Sequence, residues 1–253
     1  MSPDQTEHPN GPLLAVSGLG KRFGGFVALE NIALTIAEGE RVGLIGPNGS
    51  GKSTLVNCLC GTLRNETGNV VFSGRSLDGL IAHERTRLGL ARSFQLPKPF
   101  RTLNLIDNLR VPLLYTVNAR PGHHLSDAEV RTRCEELLDA VALADKARRL
   151  PRDLTQVEMR KLELARAVAT APRLLFADEA MAGLSPSEVE EIIAVLLRLN
   201  AQGITIVLIE HIMRAVMSFS TRLLVLVAGQ KIADGLPQEV MRNPEVERAY
   251  LGE

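Results

Sequence analysis

The sequence predicts an α/β fold, a mostly parallel sheet covered by helices, on three observations. Strand-length apolar runs alternate with helical patterns along most of the chain. One such run, Val42 to Ile45, ends in a glycine-rich turn that opens a helix over Lys52 to Cys60. The longest apolar runs, Ile204 to Ile209 and Leu223 to Ala228, have strand length and fall far short of the roughly 18 apolar residues a membrane-crossing helix needs. Any role at a membrane must come through a partner.

In chain order, Met1 to Gly11 is polar and carries Pro3 and Pro9. It lacks the basic start and apolar core of a signal peptide and reads as a short disordered tail. Val70 to Phe72 reads as a strand between turn residues, and Arg92 to Gln95 ends a further extended stretch. From Leu103 to about Ala147 the pattern is helical and more polar, with Pro97, Pro99, Pro112 and Pro121 as breakers before and within it. That stretch reads as an insertion into the sheet domain. Leu174 to Ala177 is again a strand. Val189 to Leu199 is a helix signed by Ser185 as cap, Pro186 in the first turn, Glu188 closing a capping box, and an apolar stripe of Val189, Ile192, Ile193 and Leu196. Ile204 to Ile209 is a strand. After Arg222 two short strands flank Gly229, and a last helical segment ends at Leu251.

The chain has 253 residues, 45% of them hydrophobic, enough for a sizeable core. Lys and Arg (29) balance Asp and Glu (29), so no global field draws the chain to nucleic acid or to an anionic membrane. A basic cluster, Lys146, Arg148, Arg149, Arg152 and Arg160, reads as a solvated helix face. Three cysteines, an odd number, argue against a disulfide framework and for a reducing compartment, and Cys58 and Cys60 read as core filler.

Gly46-Pro47-Asn48-Gly49-Ser50-Gly51-Lys52-Ser53-Thr54 matches G-x-x-x-x-G-K-[ST], the phosphate-binding loop, between a strand and a helix. Glycines let backbone N–H groups turn toward phosphate without side-chain clash, and the helix N-terminus adds positive potential. Lys52 is expected on the β- and γ-phosphates of ATP, and the Ser53 hydroxyl on Mg²⁺.

Leu174 to Ala177 delivers Asp178 and Glu179 to the carboxyl edge of the sheet, where ligands of open α/β sheets bind. Asp178 suits Mg²⁺, and Glu179 suits orientation or deprotonation of an attacking water. Ile204 to Ile209 ends similarly at Glu210-His211. His211 is either structural or a contact to the γ-phosphate, and the convergence of three strand ends favours the contact.

With these residues in place, the chain resembles the nucleotide-binding subunits of ABC transporters over nearly its full length. The resemblance implies a P-loop NTPase (RecA-like) core, an antiparallel β subdomain and an inserted α-helical subdomain. By that template, residues 12–94 and 161–232 are the nucleotide-binding core, 95–160 the helical subdomain and 233–253 a C-terminal helical segment. Ala91-Arg92-Ser93-Phe94-Gln95 looks like the family's Q-loop, which implies Gln95 as a contact to Mg²⁺ and water and a link to membrane subunits. Phe23 sits where the family stacks an aromatic on adenine, the alternative being an ordinary core Phe. His211 falls on the switch histidine.

Lys21 to Leu29, Ala182-Gly183-Leu184-Ser185-Pro186, Leu208-Ile209-Glu210-His211, and Asn243-Pro244 with Ala249-Tyr250-Leu251-Gly252-Glu253 resemble most the ATPase subunits of branched-chain amino-acid importers. That implies a peripheral position on the cytoplasmic face of the membrane. The implied partners are a second ATPase subunit of the same or a different chain, two membrane permeases and an external solute-binding protein. Phe100 and Leu103 fit either coupling contacts or core packing.

The family signature L-S-G-G-Q, which binds the γ-phosphate held by the opposite subunit, aligns with Leu154-Thr155-Gln156-Val157-Glu158. Both glycines are replaced, and Ser185 stands where the D-loop usually has Asp. Two readings follow: an asymmetric dimer to which this chain brings one full site and a weak signature, or a subfamily that accommodates these residues by a small backbone shift. Outside transport, the resemblance leaves a soluble ABC-type ATPase as the alternative.

Overall fold

The computed structural model describes residues 11–251, so most of the expected N-terminal tail, with Gly252 and Glu253, lies outside the described residues. The chain opens with β1 (Leu14–Phe23), β2 (Phe26–Ile36) and β3 (Arg41–Ile45), followed by α1 (Lys52–Cys60), β4 (Thr67–Phe72), β5 (Arg75–Ser76), α2 (Ala82–Arg87) and β6 (Leu90–Ser93). A helical stretch follows: α3 (Leu105–Pro112), a π-turn (Leu113–Val117), α4 (Asp127–Ala140), two 3₁₀ turns (Ala144–Lys146 and Pro151–Asp153) and α5 (Gln156–Val168). The chain closes with β7 (Leu174–Asp178), α6 (Pro186–Ala201), β8 (Thr205–Ile209), α7 (Met213–Phe219), β9 (Arg222–Val227), β10 (Gln230–Gly235), α8 (Pro237–Val240) and α9 (Pro244–Leu251).

Two sheets result. The larger runs β10-β9-β3-β8-β7-β6, parallel except for the β9–β10 hairpin. The smaller is antiparallel, β2-β1-β4-β5. The antiparallel subdomain implied by the resemblance is therefore built from residues 14–36 and 67–76. No clean apolar alternation announces β1, because register shifts between Val16 and Leu19 and between Leu19 and Lys21 interrupt the period of two.

Strands β7 and β8 of the large sheet are buried on both faces and alternate between two cores. Leu174 and Phe176 of β7, with Val207 and Ile209 of β8, pack with Leu14, Ile36, Leu55 and Phe72 beneath the small sheet. Leu175 and Ala177, with Ile206 and Leu208, face the helices through Leu109, Leu138, Leu162 and Leu196. The stripe expected on α6 forms, and Ser185 accepts from Glu188 N while Glu188 returns to Ser185 N at 2.8 Å. Pro112 ends α3 without ending the helical path. It cannot donate to the Asn108 carbonyl, and the chain continues as the π-turn Leu113–Val117. The basic cluster is not one helix face: its members fall on two 3₁₀ turns, the intervening loop and α5.

Arg85 is 4% exposed and pairs with no carboxylate among the described residues. Its guanidinium donates to the carbonyls of Cys58 and Leu59 (2.8 Å each), Leu80 (2.9 Å) and Leu77 (3.1 Å). Two of these are last-turn carbonyls of α1, so the charge sits where the helix dipole is negative. It thereby anchors the far end of the helix that begins with Lys52. Arg85→Met should cost about 2–4 kcal/mol in chemical denaturation, because four buried acceptors lose a charged donor.

Candidate active site

The phosphate loop lies between β3 and α1 and is shaped by close packing. A Cβ on Gly46 would meet the Leu226 carbonyl oxygen at 2.1 Å, and one on Gly51 the Ala28 carbonyl oxygen at 2.8 Å. Gly49 has open space around it, but its φ of +76° demands glycine for backbone reasons. The β9–β10 turn supports the loop through Gly229 N, which donates to Ser50 O at 3.0 Å. Lys52 Nζ folds back on its own loop, donating to Gly46 O (2.7 Å), Pro47 O (2.9 Å) and Ser50 Oγ (3.3 Å). Burial pulls the Lys52 ammonium below its ordinary value, against the opposing pull of Glu179 and Asp178. A cation already half desolvated and poised beside the loop suits capture of phosphate oxygens.

The acidic pair ends β7. Asp178 is buried, and Arg92 of β6 covers it: Nη2 lies 2.5 Å and Nε 3.2 Å from Asp178 Oδ2. The same guanidinium reaches Asn57 Oδ1 of α1 at 2.5 Å, which joins the phosphate-loop helix to the acidic strand. Glu179 stands in the left-handed region with φ +46°, uncommon for a non-glycine residue. Its N–H donates to Ile209 O at 2.9 Å, and its Oε2 accepts from Gln95 Nε2. Gln95 itself is exposed in the loop after β6. Lys52, Asp178, Glu179 and Gln95 thus come together at one sheet edge.

At the end of β8, Glu210 is 1% exposed. Its Oε1 accepts from Met181 N at 2.9 Å, whereas Oε2 has no hydrogen-bond partner. Burial pushes this carboxyl above its ordinary value, against the Met181 N–H and His211. His211 follows at the surface, its Nδ1 3.9 Å from Glu210 Oε2. Phe23 closes β1 and is 48% exposed, so it is not an ordinary core Phe; Lys21 Nζ stands 5.3 Å from its ring centre.

The stretch aligned with the signature starts α5. Thr155 caps the helix, Glu158 returns to Thr155 N at 3.0 Å, and Lys146 pairs with Glu158. Val157 turns into the core, while Gln156 stays exposed beside Gly183. Arg160 corrects the reading of a solvated basic face: it is 8% exposed and donates to Gln95 O and, at 3.2 Å, to Ala182 O. The sequence held a signal for this, since Arg160 shares the i, i+3, i+7 stripe of Val157 and Leu164 and so lies on the inward side of α5. Arg92 and Glu210 were also missed as site residues. Each is a charge on a buried strand or at its end, and such a charge requires a partner or a task.

Ser53, Gln95 and Asp178 offer hydroxyl, amide and carboxylate oxygens, a donor set that fits a hard divalent cation. Among the described residues no group of three His, Cys, Asp or Glu is placed to hold a metal ion.

Fold and loop define the phosphate-loop class of nucleotide-binding proteins. The family model "ABC transporter" matches residues 29–182, and the model "Branched-chain amino acid ATP-binding cassette transporter" matches residues 230–253. The high-affinity branched-chain amino acid transport ATP-binding protein LivG of Salmonella typhimurium is 39% identical over 96% of this chain and 98% of its own. BraF of Pseudomonas aeruginosa, with the same description, is 37% identical over the same shares. The crystal structure of the ADP conformation of an ATP-binding cassette of an ABC transporter superposes with TM-score 0.85 at 30% identity, covering 96% of this chain and all of that one. This chain belongs to the ABC transporter family, as one of its ATP-binding cassettes.

A carboxyl whose folded value lies above its ordinary 4.5 holds its proton more readily in the folded chain. Its favourable contribution is full at pH below 4.5 and is lost as pH rises through the raised value. Glu210→Gln keeps an acceptor for Met181 N and cannot ionise. Between about pH 4 and about pH 8, the melting temperature of the wild type should therefore drop relative to that of the variant; a parallel pair of curves would show Glu210 ionising as freely folded as unfolded.

Proposed function

We propose that this chain binds and hydrolyses ATP to power an ABC importer for branched-chain or related amino acids or amides. The observation that carries the reading is the meeting of Lys52, the Arg92–Asp178 pair and the Gln95–Glu179 pair at one edge of the parallel sheet. The matched C-terminal segment and the full-length likeness to branched-chain amino-acid transport subunits support the choice of cargo class. A soluble ATPase without a transport role is not favoured.

In this reading adenine stacks on Phe23, and Gly46, Pro47, Asn48, Gly49, Ser50, Gly51 and Thr54 wrap the phosphates with Lys52. Lys52 exchanges its carbonyl partners for β- and γ-phosphate oxygens. Ser53, Gln95 and Asp178 would hold Mg²⁺, which would supply positive charge against the phosphates. Glu179, steadied by Gln95, orients and deprotonates the attacking water, and His211 contacts the γ-phosphate. Thr155, Gln156, Val157 and Glu158 form the stretch presented to the nucleotide of a second ATPase subunit, Val157 through its backbone alone because its side chain is in the core, with Gln156 as the side chain that distinguishes this signature from a glycine pair.

No helix among the described residues is long and apolar enough to cross a membrane, so attachment runs through two permease subunits at the cytoplasmic face. An external solute-binding protein delivers the cargo. Phe94 (51% exposed), Leu96 (69%), Phe100 (41%) and Tyr115 (75%) give the loop after β6 and the adjoining helices an apolar surface suited to those permeases. We assign residues 95–160 to the moving helical subdomain, 12–94 with 161–232 to the core, and 233–253 to the C-terminal segment.

Lys52→Ala should abolish or greatly weaken binding of a fluorescent ATP analogue; unchanged affinity would remove Lys52 from the site. Glu179→Gln should bind that analogue normally and lose on the order of 10²–10⁴-fold in phosphate release, the usual range for a general base. Near-normal turnover would remove Glu179 as base.

A further inference from the structure

We propose that Arg160 is a positioning residue that ties the signature helix α5 to the loops carrying Gln95 and Glu179. The proposal rests on the hydrolytic reading for its consequence but on geometry for its substance. Arg160 is a buried cation whose two terminal nitrogens go to two different loops: Nη1 to Gln95 O after β6, and Nη2 to Ala182 O after β7 at 3.2 Å. No carboxylate lies within ion-pair distance of it among the described residues. The carboxyls whose charge it feels are Glu210, Glu163 and Glu179, in that order.

Glu210 completes the cluster from the third strand end. Its Oε1 holds Met181 N, one residue before the Ala182 carbonyl that Arg160 holds. The short segment after Glu179 is therefore pinned by its N–H from β8 and by its carbonyl from α5. Gln95 is pinned twice as well, by its backbone to Arg160 and by its side chain to Glu179. A movement of α5, which Thr155 caps, thus carries Gln95 and Ala182 with it, and through Gln95 the carboxylate of Glu179. Neither contact touches the phosphate loop, so nucleotide affinity and nucleotide turnover separate.

A planar fork serves both carbonyls, and a lysine ammonium at the same position reaches one at most. Arg160→Lys and Arg160→Met, made in the full chain, test the device. Amide hydrogen exchange of the nucleotide-free protein should speed up at Gln95 and Leu96 and around 181–184 in both variants and stay unchanged in the sheet strands. Affinity for a fluorescent ATP analogue, measured without Mg²⁺, should stay within about twofold, and turnover with Mg²⁺ should fall on the order of tenfold to a hundredfold, with Lys less affected than Met. Unchanged exchange in both loops, or wild-type turnover in Arg160→Met, would overturn the proposal. So would exchange that rises throughout the chain, because it would mark Arg160 as a packing residue. A wild-type chain that binds nucleotide without hydrolysing it would defeat the reading of the site, while the exchange comparison would still decide the role of Arg160.

Discussion

The parallel register of β3, β8, β7 and β6 is the constraint on which the site depends. Ladder pairs such as Val42 with Val207, Ala177 with Leu208 and Ser93 with Ala177 bring the strand ends to one edge. There the phosphate loop, Asp178 with Glu179, Glu210 with His211 and Gln95 emerge together. A slip of one residue in β7 would turn Leu174 and Phe176 to the helical core and Leu175 and Ala177 to the other. The same slip would carry the carboxylates out of reach of Arg92 and Gln95. Hydrophobic alternation on two faces therefore fixes where the polar chemistry stands.

Around that edge, charge is arranged in pairs that cross from one element to the next. Arg92 covers the buried Asp178 and reaches Asn57 on the helix that starts with Lys52. Burying a carboxylate without such a partner is costly, and the pair supplies it from the neighbouring strand. Lys52, pulled below its ordinary value by burial, spends its donors on the loop carbonyls. These are contacts an anionic ligand can replace one for one, which makes the loop a preformed receptor for phosphate rather than one that must fold around it.

The supports of the site come from distant parts of the chain. Arg85 of α2 fastens the far end of α1 through the Cys58 and Leu59 carbonyls. The turn at Gly229 holds Ser50, and the last helix, α9, packs against β10. Val246 of that helix is fully buried in the same apolar cluster as Ile45, the last residue of β3. The C-terminal segment is thus part of the scaffold that holds the phosphate loop.

The fold class, the glycine-rich loop between β3 and α1, the acidic end of β7 and the α6 cap are legible along the chain. Each is local: a glycine spacing, an apolar run ending in Asp-Glu, a Ser-x-x-Glu before a helical stripe. The N-terminal strands were less legible, because bulges in β1 interrupt the period of two that marks a strand. Pro112 marks the end of α3 as its ring predicts, and the π-turn that follows is not legible in the sequence. Only the tertiary structure decided that Arg160 is buried and shared by two loops, that Arg92 is the partner of Asp178, and that Val157 belongs to the core. These facts depend on which segments meet across gaps of 86 residues for Arg92 and Asp178 and 65 for Arg160 and Gln95. No window along the chain contains both members of such a pair, and only packing brings them together.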